Sequence, residues 1–433
     1  MATMQETERG YLPTPWPRRA LIGLTLIGFA IISGVIERGR VGNTIWTTTD
    51  LHVYWATSKG VLAGHSIYSV LVPTGLPPGY CRVVNCPVDL GFVYPPFAAL
   101  LLAPISLLSL SALRLVWFSV IFLCLEGVVW LSLGWAGVRN QAIRLAVAVA
   151  AAAVLPFFDP VRQEFLAGQV NVFLMLLVLA DMRRRDGAPG KGIGVGIAAG
   201  IKLTPLIFIL FLALTRRLRA AVTAAVAFVA TAVAGFIVKP SDSWHYWTSY
   251  VGQTRRVYPE IGIVYNQSLQ AVLARLLHQN DPTAVYVPIA IVTLIAGMTV
   301  AVLLHRRNLE FEAVLTCAFT AVLVSPVAWV YHWVWFVPLL IIMAVRAARS
   351  PTVGAALSWA TLTVAAAVIP SIHLYTWLAW YQQPSGAWQQ LESDSLALSG
   401  LVLLLLGLVL ALRSRDATVS SQDTVPLVDK VMP

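Results

Sequence analysis

Charge is scarce in this sequence: Asp, Glu, Lys and Arg make up 12% of the 433 residues, whereas apolar residues make up 58%. So few charges cannot clothe a water-soluble domain, and runs such as LIGLTLIGFAIISGVI and LVLLLLGLVLAL recur along the chain. This is the composition of a polytopic membrane protein. Cysteine is sparse as well, with 4 residues. Cys124 and Cys317 lie inside apolar runs, and neither count nor spacing makes a zinc site. Cys81 and Cys86 share a Pro- and Gly-rich loop, a spacing compatible with one local disulfide in an oxidising compartment. No HExxH, GxSxG or Walker motif occurs, nor a GxGxxG loop in strand-turn-helix context, so nucleotide and protease chemistry gain no support. The lack of a DxD in the first long loop argues against a metal-dependent site, and no cofactor is expected. The formal net charge of +10 does not point to nucleic acid, because the basic residues stand in short clusters between apolar runs. No cleavage-site pattern follows the first apolar run, which therefore reads as a retained span.

Apolar runs fall at about 20–37, 113–135, 141–156, 169–182, 192–215, 220–238, 284–304, 311–326, 334–348, 354–371 and 396–412. Several are shorter than the roughly 20 residues a straight span needs, which predicts broken or tilted helices. Residues 192–215 carry Lys202 and Pro205 at their centre and read as two half-spans meeting at the lysine. The run at about 96–110, interrupted by Pro104, reads as a re-entrant or interfacial helix. The fold class is thus all-α and polytopic, with about twelve crossings and both termini on one side.

Placed on that topology, Arg9, Arg18, Arg19, Arg139, Arg144, Arg183 to Arg185, Lys191, Arg216, Arg217, Arg219, Arg306, Arg307, Arg346, Arg349, Arg413, Arg415 and Lys430 fall on one side, which the positive-inside rule makes cytoplasmic. The loops rich in Trp, Tyr, Asn, Gln, His and Asp then lie on the extracytoplasmic face of a cell membrane. They are about 38–112, 157–168, the Lys202 break, 239–283, 327–333 and 372–395. Residues 1–412 read as one transmembrane catalytic domain and 413–433 as a polar, disordered cytoplasmic tail.

In TTTDLHVYW, Thr48 or Thr49 can N-cap a helix starting at Asp50, with Leu51, Tyr54, Trp55, Ser58 and Leu62 on one face of a helix lying on the membrane surface. Two roles fit Asp50: a first-turn acid favoured by the helix dipole, or a general base at the mouth of a cavity. In GFVYPPFAALLLAP, Tyr94 and the tandem prolines end an extended loop and start the interfacial run. FFDPVRQEFLAGQVNVFL brings Asp159, Arg162 and Glu164, then Gln169 and Asn171, whose amides suit either sugar hydroxyls or interhelical hydrogen bonds. Lys202 at membrane depth demands an anion, which a lipid phosphate or a buried acid such as Glu126 would supply. The stretch 241–278 combines aromatics with Arg255, Arg256, Asn266 and Gln267; the arginines can fork to phosphate or touch lipid headgroups. His332 sits among Trp329, Tyr331, Trp333 and Trp335 in a tight outer turn.

Six stretches in order, TDLHVYW, YPPFAALLLAP, GQVNVFLMLLVLA, AAGIKLTP, YNQS and SPVAWVYHWVW, resemble the polyprenyl-phosphate-mannose-dependent α-(1→2)-mannosyltransferases of actinobacterial envelopes. The resemblance runs from about Asp50 to Trp335 and implies a GT-C fold. It also implies polyprenyl-phosphate-mannose as donor and a mannosylated phosphatidylinositol, phosphatidylinositol mannoside or lipomannan, as acceptor. It makes Asp50 the base for the acceptor hydroxyl and puts His332 at the donor phosphate. Chemistry adds Lys202, Arg255, Arg256, Asn266 and Gln267 on the donor side, and His52, Tyr54, Tyr94, Gln169 and Asn171 toward sugar and acceptor. The insertion TGLPPGYCRVVNCPVDLG between the base helix and YPP is longer than the resemblance implies and is expected to reshape the acceptor entrance. Rival readings are a lipid-linked sugar flippase, whose broken helices would also suit passage, an enzyme transferring another polyprenyl-phosphate sugar such as arabinofuranose, and a scaffold without catalysis.

Overall fold

The computed structural model describes residues 48–73, 89–253, 261–369 and 386–413. The span expected at 20–37, Cys81 and Cys86, Arg255 and Arg256, and the tail beyond Arg413 lie outside the described residues.

The chain is a multi-pass helical membrane protein. Helix α1 (Thr49–Leu62) is followed by a short antiparallel ribbon, β1 (Leu71–Pro73) with β2 (Asp89–Gly91), in which Val72 faces Leu90. Tyr94 and Pro95 then hand the extended chain to α2 (Pro96–Leu102), which tightens into a 3-10 turn over Ala103–Leu107 as Pro104 removes a donor. The long span α3 (Leu110–Trp135) starts where the Ser109 hydroxyl accepts from the Ala112 amide, a side-chain N-cap. Asn140 caps α4 (Gln141–Val154) in the same way. A bend of 79° separates Gln141–Phe157 from α5 (Asp159–Ala167). Gly168, at φ 69°, ends α5 in the left-handed conformation and turns the chain into α6 (Asn171–Met182).

The predicted break at Lys202 is present. Helix α7 (Ile193–Ile201) stops at Lys202, whose backbone is extended, and α8 (Leu206–Leu214) begins after Pro205. Then come α9 (Leu218–Val238), α10 (Pro240–His245), α11 (Leu269–Leu277), α12 (Thr283–Arg306), α13 (Glu310–Val324), a 3-10 turn at Val330–Trp335, α14 (Phe336–Ala348), α15 (Val353–Val368), α16 (Ala387–Ser393) and α17 (Ser395–Arg413). Against the expected twelve crossings, five helices among the described residues are long and apolar enough to span a membrane alone, or six with the bent pair. The others are too short to cross alone at 1.5 Å rise per residue.

What fixes the end of α7 at Lys202 is the packing of α7 on α9. Gly192, Gly196 and Gly200 recur at helical spacing and let the two backbones touch. A Cβ on Gly196 would lie 2.3 Å from the Ala224 carbonyl oxygen, and one on Gly200 2.1 Å from the Thr231 hydroxyl. Gly196→Val should therefore lower stability by about 1–3 kcal/mol through overpacking. Gly354→Ala, which meets nothing within 4 Å, is the control; thermal unfolding in detergent measures both.

The expected surface helix around Asp50 is more deeply set than a membrane-surface helix. Leu51, Val53, Tyr54, Thr57, Ser58 and Val61 are all buried, whereas Leu62 is 63% exposed. The helix is wedged among α2, the 3-10 turn after it and α5, so burial on several sides replaces one apolar stripe. Neither threonine caps it through its side chain. Thr48, at φ 79°, occupies the cap position, but its hydroxyl accepts from Arg114 Nε at 2.9 Å.

Candidate active site

The start of α1, the α5–α6 turn, the α7–α8 break and the 3-10 turn at Val330–Trp335 converge on one cluster. The Tyr94 hydroxyl donates to Gln169 Oε1 at 3.0 Å, and the Tyr54 hydroxyl lies 3.2 Å from both that oxygen and the Tyr94 hydroxyl. Gln169 Nε2 donates to the Tyr331 hydroxyl at 3.1 Å and also bonds the Asp50 carboxylate. Deeper in, Lys202 Nζ donates to Asn171 Oδ1 at 2.9 Å and meets His332 Nε2 at 2.6 Å, with the rings of Tyr94 and Tyr331 5.3 and 5.8 Å from the cation. Asn171 Nδ2 in turn donates to Glu164 Oε2 at 2.9 Å.

Asp50 lies in the first helical turn and is half-buried. Burial pushes its carboxyl up to about 6, partly offset by the Gln169 amide and the Lys202 cation. Burial also raises the Tyr54 and Tyr94 hydroxyls, so both act as neutral donors. Burial and the Arg114 cation hold His52 below the usual histidine range.

Seven residues singled out in the sequence thus come together: Asp50, Tyr54, Tyr94, Gln169, Asn171, Lys202 and His332. Several occupy different positions from those expected. Gln169 and Tyr54 are enclosed within the network and hold it, and Trp55, expected on one face of a membrane-surface helix, donates from its indole to the Leu108 carbonyl at 2.9 Å. His52 packs beside Trp55 at the edge of the cluster.

Asn266 and Gln267 do not face the site. Asn266 Oδ1 accepts from the Ala328 amide and Nδ2 donates to the Ile261 carbonyl; Gln267 bonds the Ser393 carbonyl and the Leu396 amide. Backbone groups occupy both amides, so they brace the turn carrying His332 instead of reaching a phosphate. The acids acting on Lys202 are Glu164 and Asp50, in place of the expected Glu126. Glu164 and Tyr331 are the site residues that sequence reasoning passed over. The available signal was Glu164 one turn before Gly168, which folds it back onto Asn171.

Predominantly helical and multi-pass, with its polar cluster at a broken span, the chain has the architecture of a GT-C membrane glycosyltransferase. Residues 92–326 match the family model described as glycosyltransferase family 87, and the chain belongs to that family. It is similar to a Mycobacterium tuberculosis protein named polyprenol-phosphate-mannose-dependent alpha-(1-2)-phosphatidylinositol pentamannoside mannosyltransferase, with 32% identity covering 82% of this chain and 78% of the relative. It is also similar to a Mycolicibacterium smegmatis polyprenol-phosphate-mannose-dependent alpha-(1-2)-phosphatidylinositol mannoside mannosyltransferase, with 29% identity covering 94% of this chain and 92% of the relative. No solved structure matches the chain.

Proposed function

We propose that this glycosyltransferase moves mannose from polyprenyl-phosphate-mannose to a 2-hydroxyl of a mannosylated phosphatidylinositol glycolipid, forming an α-(1→2) linkage at the extracytoplasmic face of the plasma membrane. The observation that carries the reading is the placing of one half-buried carboxylate, Asp50, in the same cluster as a cation–imidazole pair, Lys202 and His332. Asp50 takes the proton of the acceptor hydroxyl as its oxygen attacks the anomeric carbon. The bond to the phosphate oxygen breaks on the opposite side, and polyprenyl phosphate leaves with the electron pair. Lys202 and His332 meet the charge that develops on it, which lets the reaction run without a metal. A single displacement on a β-linked donor gives an α product. The names of the relatives support the donor and acceptor, and the clustering of Lys and Arg on the opposite connectors supports the side.

Membranes containing the protein, supplied with labelled polyprenyl-phosphate-mannose and a panel of mannosylated phosphatidylinositols, should yield α-(1→2)-extended glycolipid and free polyprenyl phosphate in equal amounts. Movement of the label across the bilayer without cleavage would instead mark a flippase, and preference for an arabinofuranose donor would overturn the sugar.

A further inference from the structure

We infer that Glu164 is a positioning residue: it fixes the direction of a hydrogen-bond relay that runs through Asn171 and Lys202 and leaves His332 with its proton on Nδ1. The inference rests on the reading of Lys202 and His332 as the pair that meets the donor phosphate.

Glu164 is fully buried in the last turn of α5. Oε1 accepts from the Val172 amide at 3.0 Å and Oε2 from Asn171 Nδ2 at 2.9 Å. Both oxygens therefore act as acceptors, and the group turns the NH2 of Asn171 toward itself. Only Asn171 Oδ1 is then left to face Lys202, from which it accepts at 2.9 Å. An ammonium has three donors and no acceptor. One proton goes to Asn171, and a second points along the 2.6 Å contact to His332 Nε2, which must be the acceptor. A neutral imidazole accepting at Nε2 carries its proton at Nδ1. His332 is half-buried, so the relay ends in an Nδ1–H on the edge of the ring remote from Lys202, a donor of fixed direction for an anionic oxygen.

The bland alternative is that Glu164 merely anchors the N-terminus of α6 through the Val172 amide. The two roles separate because a glutamine in its place can still accept from Val172, but its NH2 opposes that of Asn171 and forces Asn171 to turn its own NH2 toward the ammonium.

The test compares Glu164→Gln, Asn171→Asp and the double variant, each purified as the full chain and assayed with polyprenyl-phosphate-mannose. Glu164→Gln should lower kcat/KM for the donor about ten- to hundredfold, with little change in acceptor KM or thermal stability. In the double variant the new side-chain amide on α5 donates to the new carboxylate at the start of α6, whose other oxygen again accepts from Lys202, so most of the donor kcat/KM should return. Wild-type donor kinetics for Glu164→Gln would overturn the relay, as would a thermally stable double variant no better than the single. Should Glu164→Gln not accumulate, His332→Asn and His332→Gln decide: asparagine mimics an N–H at Nδ1 and glutamine one at Nε2. Asparagine should retain several-fold more activity, and equal or better activity for glutamine would overturn the inference. A wild-type enzyme that transfers no mannose from this donor would sink the functional reading itself, a result distinct from all of these.

Discussion

Asp50→Asn should reduce mannosyl transfer by about 10²- to 10⁴-fold while leaving the fold intact. Asparagine keeps the size of the side chain and can still accept from the Gln169 amide, so the network around Tyr54, Tyr94 and Tyr331 survives. What it loses is the ability to take a proton. Product formed per folded protein in detergent is the measurement, and full transfer by the variant would remove Asp50 from the base role. The same carboxylate predicts the acid limb of the pH profile. Its folded value of about 6 means that it is protonated, and useless as a base, below that pH. The rate should fall about tenfold per unit below pH 6 and level off above it, and the variant's residual rate should lack this limb.

Arg275→Met should be strongly destabilising, by about 3–5 kcal/mol. Arg275 is fully buried and reaches Asp394 Oδ1 from Nε at 2.8 Å and from Nη2 at 2.5 Å. Its Nη1 donates to the carbonyls of Ile263 and Asn266, both at 3.0 Å. Removing it strands the Asp394 carboxylate in the interior and frees the turn before α11. That turn holds the His332 segment, because the Gln267 amide donates to the Ala328 carbonyl at 2.7 Å and the Ser268 hydroxyl to the Pro326 carbonyl at 3.0 Å. Activity should fall together with the unfolding temperature. Arg275→Met combined with Asp394→Leu should be less destabilised than the single variant; if it were more so, the stranded charge would not be the cause.

The features legible in the sequence were those written in a few adjacent residues. Lys202 beside Pro205 announced a broken span, tandem prolines announced the start of α2, and Asp50 after three threonines announced a helix start. What stayed hidden depends on partners distant in the chain. Asn266 and Gln267 look like ligand-binding amides until the backbones of Ala328, Ser393 and Leu396 take up their hydrogen bonds. Tyr54 and Trp55 look like a membrane belt until α2 and its 3-10 turn cover them. Glu164 gave only a faint sign of its place near Lys202, because the Gly168 turn that folds it there is specified by one residue.

That turn has one more consequence. A Cβ on Gly168 would lie 2.6 Å from Leu51 Cβ, and the Thr48 amide donates to the Leu166 carbonyl. The residues on either side of Asp50 are thus clamped onto the same few residues of backbone that carry Glu164, Gln169 and Asn171. Asp50 and the side chains that hold Lys202 and Gln169 in place share one rigid jig, so their spacing is fixed by the backbone. A change in the loops around the jig would leave that spacing untouched.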